Sequence, residues 1–128
     1  MQIVSLGAGF DTLFFRLLQQ SRRNLSFVEV DCQGIVDAKK DIVVDDSNFT
    51  ALFTVDGRQV PAARPTATDA AKTIALRCEM EKLQSTYSLV ACDLGDVVRL
   101  EASLDAAGVD RSLPTLVIAE CVVVRMDT

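Results

Sequence analysis

Apolar and polar positions along this chain change rhythm several times, and each change marks an element. Ile3 to Leu6 is a short apolar run that reads as a buried strand. Beyond Gly7 and Gly9 the spacing turns helical: Leu13, Phe14, Leu17 and Leu18 share one face, with Asp11 or Thr12 placed to cap the first turn. Leu25 to Val30, rich in β-formers, predicts a second strand that ends at Asp31 and Gly34. IVDAKKDIV, residues 35–43, has the pattern of a short amphipathic helix. Regularity then breaks down. In DDSNFTALFTVDGRQVPAARPTATD, Asp56-Gly57 signals a turn and Pro61 and Pro65 interrupt any element, leaving a loop or one weak edge hairpin. The Ala-rich DAAKTIALRCEMEKLQS predicts a helix with Ile74, Cys78 and Leu83 on its apolar side. Tyr87 to Cys92 predicts a third strand. VVRLEASLDAAGVD predicts an amphipathic helix with Val97, Leu100 and Leu104 inward, stopped by Gly108. Thr115 to Ala119 predicts a fourth strand, and a further apolar stretch runs on toward Thr128.

Strands alternating with helices imply an α/β fold of one domain, 1–128, with four strands paired in parallel through right-handed crossovers. In such sheets ligands lie outside the carboxyl ends of the strands. Those four ends carry Gly7 and Gly9, Glu29 and Asp31, Asp93 and Asp96, and Glu120 and Cys121. Glycines at the first and acids at the other three form a pattern. A strand, a Gly-x-Gly turn and a helix open a nucleotide-binding βαβ unit, although glycine also serves tight strand-to-helix turns for steric reasons alone.

Composition narrows the chemistry. A hydrophobic content of 49% argues for a packed body, and no apolar stretch approaches the ~20 residues of a membrane span. With 13 basic against 18 acidic residues the net charge is −5, which disfavours nucleic acid as a partner. Met-Gln-Ile-Val enters a strand at once, so no leader segment is expected and the expected compartment is the cytoplasm. The cysteines, Cys32, Cys78, Cys92 and Cys121, form no Cys-x-x-Cys pair and read as free thiols of a reducing compartment. Histidine is absent, which removes His-based triads, His metal ligands and the usual general base. No catalytic side chain and no metal site is expected.

Asp31 stands a little over 20 residues past the turn, where an acid accepts from both ribose hydroxyls and repels a 2′-phosphate; its alternative is a solvated turn aspartate. Asp93 and Leu94 close the third strand where an adenine ring can lie between one polar contact and one apolar wall, unless Asp93 caps the next helix. Glu120 follows four β-formers and either faces a ligand or pairs with an arginine. Acids around a glycine turn suit a nucleoside with a cationic group, such as S-adenosylmethionine, better than a phosphate-bearing dinucleotide.

QIVSLGAGFDTLFFRL, FVEVD, YSLVACDLGD and LPTLVIAECVVVRM resemble, in this order and spacing, the leucine carboxyl methyltransferase family. The resemblance runs from Met1 to about Met126, with a divergent stretch near 45–84, and LGAGFDT with LPTLVIAEC carries most of its specificity. It implies a Rossmann-like S-adenosylmethionine-dependent methyltransferase fold with an incomplete parallel sheet. It also implies methylation of the C-terminal leucine carboxylate of protein phosphatase 2A catalytic subunits, whose tail would be the partner. By the same resemblance Gly7 and Gly9 lie under the methionine part of the cofactor and Asp31 holds the ribose. Asp93 and Leu94 flank the adenine, and Glu120 faces the cofactor near the reacting centre. Three departures accompany it. Gly95 stands where the family has arginine, and Arg125 where it has tyrosine. The family's basic segment ahead of the first strand and its later strands have no counterpart in these residues, which read as a piece of a methyltransferase. Two other readings stay open: a related methyltransferase of wybutosine synthesis or of small molecules, and a truncated, inactive cofactor-binding module.

Overall fold

A computed structural model of the chain describes residues 1–20, 22–47, 73–80 and 83–119. In chain order the described elements are β1 (Gln2–Leu6), α1 (Leu13–Gln19), β2 (Ser26–Asp31), α2 (Gln33–Asp45), β3 (Ile74–Met80), β4 (Ser85–Ala91), α3 (Val97–Ala106) and β5 (Thr115–Ile118). They build a mixed α/β fold on one sheet, ordered β3-β4-β2-β1-β5. β1 pairs in parallel with β2 on one side and β5 on the other, β2 pairs in parallel with β4, and β3 runs antiparallel to β4.

Alternation along each strand divides the core into two layers. On one face Ile3, Phe27, Tyr87 and Leu89 meet Phe14, Phe15 and Leu18 of α1 and Val36 and Val43 of α2. The rings of Phe14 and Tyr87 stack with centroids 4.6 Å apart. On the other face Val28, Val30 and Val90 meet Ala107, with Leu100 and Leu104 of α3 packed against them. Gly108, at φ 91°, ends that helical segment as expected.

Three expectations are corrected. The helix read over DAAKTIALRCEMEKLQS is, in its described part, the strand β3. Ile74, Leu76, Cys78 and Met80 are buried while Ala75, Arg77 and Glu79 are not, a period of two rather than 3.6. The helix-favouring alanines of that stretch yield to pairing with β4, because tertiary partners override local preference. The described sheet therefore has five strands rather than four, one of them antiparallel. Along α3 and its C-cap the inward line is Leu100, Ser103, Leu104 and the cap residue Ala107; Val97, the first helical residue, remains 60% exposed, and Leu94 packs on that layer instead. At α1, Thr12 is the N-cap residue without a side-chain cap bond, and Asp11 pairs with Arg16 at 3.2 Å. The turn at Asp56-Gly57 and the interruptions at Pro61 and Pro65 lie outside the described residues.

Candidate functional site

The glycine turn leaves β1 at the point where the chain order reverses. From β1 the connection through α1 goes to β2 on one side, whereas β5 lies on the other, which makes the carboxyl end of β1 the switch point of the sheet. Gly7 and Gly9 both have positive φ, 66° and 55°, a backbone region that L side chains occupy at a cost. The turn is fastened to the neighbouring strand: Gly7 N–H donates to the Val30 carbonyl at 2.7 Å and Gly9 N–H to Asp31 Oδ2 at 2.8 Å. Asp11 N–H closes it by donating to the Ala8 carbonyl at 3.0 Å. A Cβ built on Gly9 would meet nothing within 4 Å, so the turn presents bare backbone to open space.

Asp31 ends β2 half-buried, directly beside that backbone. Besides Gly9 it accepts from Cys32 N–H, through Oδ1 at 2.7 Å. Two accepted bonds leave a carboxylate with further acceptor positions. Its own carbonyl accepts from Cys92 N–H at 2.9 Å, which ties the ends of β2 and β4 together. There Asp93 is exposed and accepts from Gly95 N–H at 2.8 Å, while Leu94 is half-buried. Asp93 therefore shapes its own turn, and the helix cap is Asp96, which accepts from Arg99 N–H at 3.1 Å. The structure thus aligns Gly7, Gly9, Asp31, Asp93 and Leu94 along the ends of three adjacent parallel strands. Neighbouring strands lie about 4.8 Å apart, so these ends span roughly 10 Å, room for a sugar and a base side by side. Glu120 and Cys121 lie outside the described residues.

Glu29, another acid of the sequence pattern, faces the core. Glu29 is 2% exposed and forms a buried ion pair with Lys39 of α2, itself 4% exposed. Burial pushes its carboxyl above the usual carboxylate range, with the Lys39 ammonium and the Tyr87 hydroxyl opposing that rise. Lys39 Nζ also donates to the Asp11 carbonyl at 2.8 Å. Sequence reasoning passed over Lys39, although a signal was there. It lies three residues after Val36 and four before Val43, on the inward line of α2, where a lysine needs a partner.

Beside the turn, on the β5 side, a hollow of about 420 Å³ is lined by Ser5, Gly7, Ala8, Asp11, Arg16 and Ile118. Arg16 is the cation among those residues and is already paired with Asp11. Arg16 and Asp11 thus neutralise each other, and Asp31 is the further acid beside the turn. Among the described residues no cluster of side chains could hold a metal ion, and no helix is long and apolar enough to cross a membrane. Cys32, Cys78 and Cys92 are free; Cys78 is buried and its thiol is pushed up to about 12.

Comparison with known proteins adds to this geometry. The family model of the leucine carboxyl methyltransferases matches residues 1–128. Among curated proteins, a leucine carboxyl methyltransferase 1 homolog of Arabidopsis thaliana is 31% identical, over 98% of this chain and 33% of its own length. Leucine carboxyl methyltransferase 1 of Rattus norvegicus is 33% identical, over 98% of this chain and 34% of its own length. The tRNA wybutosine-synthesizing protein 4 of Homo sapiens is 34% identical, over 98% of this chain and 16% of its own length. The chain spans about a third of the length of the carboxyl methyltransferases it matches.

Proposed function

This chain belongs to the leucine carboxyl methyltransferase family, and from that premise we propose that it is the S-adenosylmethionine-binding core of a carboxyl O-methyltransferase. Its substrate in this reading is the C-terminal leucine carboxylate of protein phosphatase 2A catalytic subunits, and its compartment the cytoplasm. The observation that carries the cofactor assignment is the pairing of an open glycine backbone with a fixed carboxylate. Gly9 leaves space where a Cβ would stand, and Asp31, anchored by two backbone N–H groups, keeps acceptor positions for sugar hydroxyls. Acids at the turn and at the β2 and β4 ends fit a ligand that is neutral along its nucleoside and positive at its sulfur and amino groups.

S-adenosylmethionine would supply a methyl group on a cationic sulfur. In this reading the Gly7–Gly9 backbone receives its methionine portion, Asp31 accepts from the ribose, and Asp93 and Leu94 bound the adenine. By the family resemblance Glu120, which lies outside the described residues, is assigned to the reacting end of the cofactor. No residue is assigned as a base. A C-terminal carboxylate, with a pKa near ~3.5, is ionised at neutral pH and needs alignment and desolvation rather than proton removal.

A second methyltransferase reading rests on the 34% identity to the human tRNA wybutosine-synthesizing protein 4. One experiment separates them. These residues in a full-length family context, incubated with labelled S-adenosylmethionine, are offered a phosphatase C-terminal peptide ending in leucine, the same peptide as its C-terminal amide, and transfer RNA. Label on the free-acid peptide alone is the expected result. Label on transfer RNA alone would replace the carboxylate reading, and cofactor binding with no transfer would make this an inactive binding module.

A further inference from the structure

Two residues with left-handed backbone give the Gly7–Asp11 turn more freedom than any other residue type would, so its shape has to be imposed from outside. The sheet supplies two clamps, both from side chains of β2. Asp31 takes the Gly9 N–H directly, at 2.8 Å. Two residues earlier on the same strand face, Glu29 acts through an intermediary: it holds Lys39, whose ammonium donates to the Asp11 carbonyl at 2.8 Å. One clamp grips a donor near the middle of the turn, the other an acceptor at its far end.

A buried ion pair is weak evidence for a stability role, because well-packed apolar residues of similar volume commonly do as well or better. The position of Lys39 between Val36 and Val43 is one where an aliphatic side chain would satisfy the core. What an aliphatic side chain cannot do is donate to the Asp11 carbonyl. Resting on the cofactor-binding reading above, we infer that Lys39, held by Glu29, is a positioning residue that presets the glycine turn for the methyl donor. The role is indirect: Lys39 itself is buried behind the turn, and what it governs is the backbone that the ligand meets.

The test uses the full chain with S-adenosylhomocysteine as the probe, in calorimetry and in thermal unfolding. Lys39→Met leaves Glu29 buried without its cation and is expected to lose both stability and affinity. The decisive variant is therefore Glu29→Gln with Lys39→Met, which removes both charges and keeps both volumes. We expect it to unfold cooperatively near the wild-type temperature while binding the probe roughly tenfold more weakly, as befits one lost charge-assisted hydrogen bond. Faster amide exchange at Gly9 and Asp11 should accompany that loss, and Lys39→Arg, which keeps a cationic donor, should recover part of the affinity. Wild-type affinity in the stable double variant overturns the inference while leaving the cofactor reading intact. A double variant that no longer unfolds cooperatively makes the network a folding element and overturns it as well. No binding by the wild-type chain overturns the cofactor reading, and this inference with it.

Discussion

At Asp31 the contacts change what removal of the carboxylate should do. The spacing from the glycine turn points to a sugar-binding acid, whereas the contacts show that the same group also holds Gly9 and Cys32 N–H. Asp31→Ala should therefore lower stability by about 1–2 kcal/mol, as the part-buried Gly9 donor and the exposed Cys32 donor lose their acceptor. It should weaken S-adenosylhomocysteine binding about tenfold or more; urea unfolding beside calorimetry reads both. A stability loss with unchanged affinity would make the residue a turn clamp alone. Gly9 and Gly34, where an added Cβ would meet no atom within 4 Å, offer a matched pair. Gly9→Ala puts a methyl group into open space at φ 55° and should fold with a loss of about 1–2 kcal/mol for the left-handed backbone. Its loss of affinity should be far larger than that strain explains. Gly34→Ala, in the first turn of α2, should leave affinity unchanged and raise stability by up to about 1 kcal/mol.

Between elements, what could be read in advance follows the strength of each local signal. β1, α1, β2, α2, β4, α3 and β5 were legible because apolar runs and helical spacing are bounded by glycine, proline or acids. β3 was not. Its period-two alternation from Ile74 to Met80 was present in the sequence, but surrounding alanines and charges gave a competing helical pattern, and the antiparallel partner that decides between them lies in β4. Met80→Ala should accordingly cost about 2–5 kcal/mol and the neighbouring Glu79→Ala within about 0.5 kcal/mol. Chemical denaturation of both variants checks this, since equal effects would contradict a strand with one buried face. At the site, the glycine turn and Asp31 were legible from spacing, whereas the burial of Glu29 was not. Its role depends on which face of β2 meets α2, a fact that lives in the register of two elements rather than in either one.

At the level of the whole molecule, β5 stands apart from the other parallel strands. Parallel strands are ordinarily covered on both faces, yet Leu116 is 53% and Val117 56% exposed, and successive residues point to opposite faces. Among the described strands β5 pairs only with β1. Studied by itself, the 128-residue chain should self-associate with rising concentration in sedimentation velocity, because a bare apolar strand is a template for pairing. Leu116→Lys with Val117→Lys should reduce that association; a monomer at all concentrations before substitution would contradict it. A different consequence attaches to the buried charges of β2. Phe27, Val28 and Val30 would tolerate many alignments in a sheet that is apolar on both sides. A slip of one residue would turn Glu29 and Asp31 onto the layer of Val90 and Ala107, and a slip of two would set either Phe27 or the shorter Asp31 opposite Lys39. Glu29 thus works as an index mark: it favours one alignment of the central strand, and that alignment sets Asp31 directly beside the glycine turn.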